Sequence, residues 1–268
     1  MPTYKPLAEI LRPSDLVDFV GQNHLLESDK PIGKSLADKQ FHSMILWGPS
    51  GVGKTTLARI ICSQMGAHFE QMSAVLGGIK EFRNVIEHAD LYKQHNKNTI
   101  LFVDEIHRFN KAQQDAFLPH IESGLITLIG ATTENPSFEI NSSLLSRVRV
   151  YVLDKLSDND LKVIAKRALD RQKITLKEDG SLSLIIDSSD GDARRLLRRL
   201  RHVPVAGASG HGQPGARRPD EPGRPAQGDE AQPPQLAAQD RAHWRIAGRA
   251  PGHHDRAAGA GCAAYAAV

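Results

Sequence analysis

The sequence has two cysteines, Cys62 and Cys262, in 268 residues. Two thiols make neither a disulfide framework nor a zinc cluster. Cys62 falls on the apolar side of a predicted helix and reads as a buried structural thiol. Long hydrophobic runs are missing as well: no stretch approaches the about 20 apolar residues of a membrane span. The start, Met1-Pro2-Thr3-Tyr4-Lys5, lacks the apolar core of a signal peptide. These absences predict a soluble, cytoplasmic protein with no membrane partner. Strong charge of one sign is lacking too. The net charge is +3, and residues 201–268 contribute +2 of it. The first 200 residues are therefore close to neutral, which excludes a globally basic protein. Any nucleic-acid contact must come from a local patch.

The sharpest absence begins near residue 200. From there on the chain has no Lys, Phe, Thr, Asn or Met. Its last 68 residues include 17 Ala, 10 Gly, 8 Pro and 8 Arg. Such a segment cannot bury enough apolar surface to offset the entropy of ordering it. Residues 201–268 are thus predicted to be low-complexity and disordered. The abrupt break has the character of a frameshifted reading of the downstream gene, with a natural, mildly basic tail as the rival. His253 and His254 lie in it and are given no role.

Earlier in the chain, short apolar runs alternate with amphipathic stretches. The runs predict strands at Met44–Trp47, His68–Met72, Thr99–Val103, Ile126–Ala131 and Val148–Val152. Helices are predicted at Lys54–Met65, Ile79–His95 and Lys111–Ser123, the last kinked or shortened by Pro119. In the second of these, Ile79, Phe82, Ile86 and Ala89 recur at helical spacing. Strands alternating with helices imply an α/β fold with a parallel sheet covered on both faces. After residue 153 the pattern changes. Ser157-Asp158-Asn159-Asp160 reads as a helix start with an acid at the fourth position. Further helical pieces are predicted at Ser181–Ser188 and Asp192–Arg201. The expected organisation is an ATPase domain over 1–153, an incomplete helical lid over 154–200 and the tail over 201–268.

The chemistry starts at Gly48-Pro49-Ser50-Gly51-Val52-Gly53-Lys54-Thr55, which has the Walker A spacing. It follows an apolar strand and opens a helix at Thr56, the context the motif needs. Glycines let backbone N–H groups wrap phosphates closely, and the helix N-terminus adds partial positive charge. Lys54 is expected to reach the β- and γ-phosphates of ATP, and Thr55 to ligate Mg²⁺. Ile100-Leu101-Phe102-Val103 is a buried strand that ends in Asp104-Glu105. Two acids there suit a cation and an attacking water. Asp104 is expected to hold Mg²⁺ and Glu105 to act as general base. A third apolar strand ends in Thr132-Thr133, and either hydroxyl can face the γ-phosphate or the water.

The match narrows beyond the phosphate loop. Arg12-Pro13-Ser14-Asp15-Leu16-Val17-Asp18-Phe19-Val20-Gly21-Gln22 stands near the start of the chain. Arg108-Phe109-Asn110-Lys111 follows Asp104-Glu105-Ile106-His107, and Glu134-Asn135-Pro136 follows Thr133. Leu144-Leu145-Ser146-Arg147 and Gly191-Asp192-Ala193-Arg194-Arg195 complete the set. This combination resembles the replication-associated recombination protein A family of AAA+ ATPases, whose eukaryotic relative is the Werner-helicase-interacting protein. The resemblance covers roughly residues 5–200 and implies an AAA+ P-loop module. It implies Thr133 as sensor 1, Arg194 as sensor 2 on the lid, and Arg147 as an arginine finger acting on a neighbouring subunit. Phe19, Val20, Gly21 and Gln22 would line the adenine pocket. It also implies a helical oligomerisation domain after Leu200, where the composition predicts none.

The function so implied is a DNA-dependent ATPase of replication-associated recombination, acting at stalled or gapped forks. Its partners would be DNA with single-stranded ends, gaps or forks, single-stranded-DNA-binding protein, and further copies of itself, in a nucleoid-associated setting. A clamp-loader subunit and a Holliday-junction branch-migration motor share the site and stay open. So does a nucleotide-binding assembly factor or inactive fragment. The arginines Arg195, Arg198, Arg199 and Arg201 read as a solvated helix face. His107 reads as a residue coupling the ATP site to substrate, not as a metal ligand.

Overall fold

The computed structural model describes residues 5–75, 78–174 and 179–201, all within one compact unit. The expectations for residues 202–268, Cys262 and the paired histidines included, lie outside the described residues. No helix among the described residues is long and apolar enough to cross a membrane.

An N-terminal arm carries three short helices: α1 (Leu7–Ile10), α2 (Asn23–Leu26) and α3 (Pro31–Ala37). The α/β layer follows. Its elements are β1 (Met44–Trp47), α4 (Lys54–Gln64), β2 (His68–Ser73), α5 (Ile79–Gln94) and β3 (Thr99–Asp104). A single 3₁₀ turn, Ile106–Arg108, leads to α6 (Lys111–Asp115) and α7 (Leu118–Glu122). Then come β4 (Ile126–Thr132), α8 (Pro136–Glu139), α9 (Ser142–Leu145) and β5 (Arg149–Val152). The five strands pair in the order β2-β3-β4-β1-β5, all parallel. Strand bounds fall within a residue of those expected from the apolar runs.

Period-two alternation explains why the sheet is covered on both sides. Ile100 and Phe102 of β3 face a cluster with Leu57, Ala58 and Ile61 of α4. Leu101 and Val103 face the other, with Phe82, Val85 and Ala89 of α5. Cys62 is buried beside α4's core residues, where its thiol donates to Ala67 O at 3.2 Å and burial pushes its pKa up to about 11. The third predicted helix is two: α6 ends before Phe117, and Pro119 sits in the first turn of α7, where a missing N–H costs nothing.

Three helices form the lid: α10 (Asp158–Gln172), α11 (Asp179–Asp187) and α12 (Ala193–Leu200). Leu161, Ala165 and Ala168 of α10 pack on Ile186, Leu196, Leu197 and Leu200. Leu7 of α1 is part of the same cluster, so the far N-terminus completes the lid's core. The start of α10 is a capping box: Ser157 Oγ accepts from Asp160 N, and Asp160 Oδ2 accepts from Ser157 N at 3.0 Å. Ser157→Ala is expected to lower unfolding stability by about 1 kcal/mol, measured by urea denaturation; an unchanged midpoint would remove the cap from the lid's stability.

Candidate nucleotide site at the carboxyl edge of the sheet

The strand order brings together the chain segments that carry the predicted chemistry. Strand β1 lies beside β4, which lies beside β3, and all three point the same way. Their carboxyl ends therefore meet along one edge, where Trp47 pairs with Thr132 and Val103 with Gly130. Ligands of open parallel sheets bind in such a crevice. A cleft there is walled by the loop Ser50–Thr56, by Asp104 and Glu105, by Thr133, by Phe19 and Val20 of the arm, and by Arg194 of α12.

The phosphate loop has the backbone that only glycine takes easily. Gly51 and Gly53 have φ of +70° and +107°, and Gly53 is the N-cap of α4. A Cβ on Gly51 would lie 1.8 Å from Asp192 Oδ1. That contact shows how closely the lid approaches. Asp192 caps α12 by accepting from Arg195 N at 3.0 Å, and its other oxygen accepts from Ser50 Oγ at 2.8 Å. Ala193 N donates to Gly51 O at 3.2 Å. The lid is thus bonded to the loop one residue before Arg194.

Lys54 is almost wholly buried and donates through Nζ to Gly48 O at 2.6 Å and Pro49 O at 2.8 Å. Burial lowers its pKa below the usual lysine range, and the charges of Glu105 and Asp104 oppose that shift. Gly48 and Pro49 thus lie under the loop as acceptors, not on the cleft wall. Thr56 is bonded from the arm, accepting from Arg12 Nη1 at 3.1 Å.

The residues suit Mg²⁺ carried in with a phosphate. Thr55 and Asp104 offer hard oxygen donors on one wall of the cleft. Among the described residues no group of three or more His, Cys, Asp or Glu could hold a metal ion. Mg²⁺ commonly takes one or two protein ligands and completes its shell with substrate phosphate and water. Glu105 breaks from the strand in a left-handed conformation, φ 55°, which turns it off the line of β3.

Of the two threonines that end β4, Thr133 reaches the cleft. Thr132 is fully buried and spends its hydroxyl inside the protein. Arg147 is not on its own cleft. It is exposed and donates through Nε to Glu122, and through Nη1 to Ser143 O at 2.8 Å and Ser146 Oγ at 2.9 Å. Phe19 and Val20 wall the cleft, but Gly21 and Gln22 stand behind them. Gln22 is buried, and its amide bonds both backbone groups of Asp154: Nε2 to the carbonyl at 2.8 Å, and Oε1 from the N–H at 2.9 Å. A glutamine so occupied ties the arm to the start of the lid. Arg195, Arg198 and Arg199 are exposed, as a solvated face requires.

Sequence reasoning missed Arg12, Arg167 and the loop contact of Asp192. Arg167 of α10 lines the cleft and donates to Asp18 O. An Asp before a helix signals a cap, but nothing local says that its second oxygen reaches a serine 142 positions away.

Residues 44–155 match the family model described as ATPase family associated with various cellular activities. Replication-associated recombination protein A of Coxiella burnetii is 53% identical over 205 residues, 74% of this chain and 46% of that protein. The protein of that name from Escherichia coli K12 is 50% identical over the same shares. ATPase WRNIP1 of Dictyostelium discoideum is 46% identical over 74% of this chain and 23% of its own length. Among solved structures, the Thermotoga maritima RuvB Holliday junction branch migration motor aligns with a TM-score of 0.59 and 30% identity, over 71% of this chain and 64% of that one. The chain spans about half the length of the bacterial relatives it matches. With the parallel sheet, the phosphate loop and the lid in place, the chain belongs to the replication-associated recombination protein A family of AAA+ ATPases.

Proposed function

We propose that this chain is an ATP hydrolase that couples turnover to DNA in replication-associated recombination, at stalled or gapped forks. One observation carries the reading: a single cleft joins the phosphate loop, the Asp104-Glu105 pair, Thr133 and the lid's Arg194. The names of the relatives support the setting.

In this reading the cleft-facing part of the loop, Ser50–Thr56, wraps the phosphates and Lys54 turns from the carbonyls of Gly48 and Pro49 to the β- and γ-oxygens. Thr55 and Asp104 hold Mg²⁺, which neutralises charge on the phosphates. Glu105 accepts a proton from the attacking water. Thr133 donates to the γ-phosphate from the turn after β4, and Arg194 from α12. Arg147 reaches the cleft of a second copy, so the working form is a homo-oligomer. The ligand is DNA with single-stranded ends, gaps or forks, single-stranded-DNA-binding protein is the partner, and the setting is cytoplasmic and nucleoid-associated.

The test is the ATPase rate without DNA, with blunt duplex, with gapped or single-strand-ended duplex, and with a four-way junction. Stimulation by gapped or ended DNA is the expected result. Stimulation by the junction alone would favour a branch-migration motor, to which the RuvB likeness points. No hydrolysis under any condition would sink the enzymatic reading. Lys54→Ala is expected to weaken ATP binding about 10–100-fold, the loss of charge-assisted bonds worth about 1.5–3 kcal/mol. Calorimetric titration measures it, and unaltered affinity would remove Lys54 from the phosphates.

A further inference from the structure

Behind the cleft, His107 stands between two residues that the site reading treats separately. Its Nε2 is 3.4 Å from Glu105 Oε2, and its Nδ1 is 2.9 Å from Thr132 Oγ1. The imidazole is nearly buried and Thr132 wholly so. The backbone places it there by a close approach. Gly130 of β4 has no side chain, and a Cβ on it would lie 2.9 Å from Ile106 Cδ1. The glycine leaves room for Ile106 of the 3₁₀ turn after β3 to pack on β4, and the next residue, His107, meets Thr132.

For a neutral imidazole, proton counting gives the contact a direction. Thr132 Oγ1 accepts from Glu134 N at 3.0 Å, and it has one proton of its own. That proton can go to Glu134 O at 3.2 Å or to His107 Nδ1 at 2.9 Å. If it went to the carbonyl, Nδ1 would have to carry the imidazole proton. The bare Nε2 would then face the carboxylate of Glu105, lone pair against lone pair. Given to Nδ1, it leaves Nε2–H facing the Glu105 carboxylate at 3.4 Å, an attractive contact longer than a normal hydrogen bond. The chain of donors runs from Glu134 N–H through the Thr132 hydroxyl to His107, whose Nε2 side faces Glu105.

We infer that His107 is a positioning residue that aims the Glu105 carboxylate and couples it, through Thr132, to the Glu134-Asn135 turn after β4. This rests on the reading of Glu105 as general base. Glu105 follows β3 in a left-handed conformation, with its side chain about a third exposed. The imidazole restrains the side chain from the wall opposite the solvent. The turn that ends in Asn135 opens α8 and follows Thr133 directly. A shift of that turn therefore moves the proposed base and the proposed γ-phosphate contact together.

The experiment uses the full chain with the DNA that stimulates it best. His107→Ala should lower kcat about 10–100-fold, as losses of supporting hydrogen bonds do, with nucleotide Kd unchanged. His107→Gln should recover part of that, because its amide can donate to Glu105 while its oxygen accepts from Thr132. Thr132→Val, which keeps shape and loses the hydroxyl, should also lower kcat, and Thr132→Ser should regain most of the loss. The double variant His107→Ala/Thr132→Val should be no slower than the worse single one. Independently of turnover, ¹⁵N shifts of the His107 ring should report the Nε2–H tautomer in the wild type and a change in Thr132→Val. Wild-type kcat in His107→Ala and Thr132→Val, or an Nδ1–H ring indifferent to Thr132→Val, would overturn the inference. Glu105→Gln separates the two ideas. If it still turns over, the base assignment falls; if it is dead while the His107 and Thr132 variants run at the wild-type rate, only the relay falls. Should His107→Ala fail to fold, the Thr132 pair and the ring shifts decide.

Discussion

Arg147→Ala is expected to slow ATP hydrolysis by at least about 10³-fold, the scale on which arginine fingers act, while ATP binding persists. The expectation comes from where the side chain is. Arg147 lies between α9 and β5, beside Glu122 of α7, and is not among the residues that wall its own cleft. Glu122, Ser143 O and Ser146 Oγ hold its Nε and Nη1, and Nη2 donates to none of the described residues. The ion pair with Glu122 is exposed and is therefore worth no more than about 1 kcal/mol. Exchanging it for a phosphate oxygen of a neighbouring copy is cheap. Mixing supplies the decisive measurement. Arg147→Ala and Glu105→Gln should each be inactive alone. Mixed together, some interfaces combine an intact Glu105 with an intact Arg147, and activity should return. A mixture that assembles yet stays dead would sink the trans assignment, and full activity in Arg147→Ala alone would sink any catalytic one.

Glu105→Gln is expected to lower turnover about 10²–10⁴-fold, the range for a general base, with nucleotide affinity retained. Glutamine has the same shape and can still lie against His107, so the fold of the cleft is kept. What it loses is the ability to take a proton from water. In the proposed reading the loop, Lys54, Thr55 and Asp104 would bind phosphate and metal without it, which is why binding and turnover should separate. Equilibrium binding of a labelled nucleotide alongside steady-state hydrolysis reads the split. Loss of both together would place Glu105 in binding instead, and loss of neither would remove it from the reaction.

The two kinds of residue behind these expectations differ in how the sequence displays them. Lys54, Thr55, Asp104 and Glu105 could be singled out as candidates because the Walker A spacing and two acids closing an apolar run are local patterns, and all four line one cleft. The strands themselves were legible for the same reason: Thr99–Val103 alternates between two faces and needs no partner to be recognised. Contacts across long separations were not. Gln22 reads as a wall of the nucleotide pocket, yet its amide is taken by the backbone of Asp154, 132 positions on. Thr132 and Thr133 look equivalent in the sequence. Burial separates them, because Thr132 is the last residue of β4 and its hydroxyl turns inward to His107. The helix from Lys111 divides earlier than its proline suggests, since Pro119 is welcome in a first turn and the break must precede it.

The place of Leu7 has a consequence for how the molecule is made. Its burial partners in the lid include Leu196, Leu197 and Leu200. During synthesis, nearly the whole of the described chain must leave the ribosome before this leucine has anywhere to go. The sheet and its covering helices can collapse meanwhile, since each domain-like unit folds as its residues emerge. Helix α1 is thus made well before the elements it docks on. Until α1 docks, Leu25 and Ile32 already fasten the rest of the arm to the α/β layer, and the cleft has a floor before it has a roof.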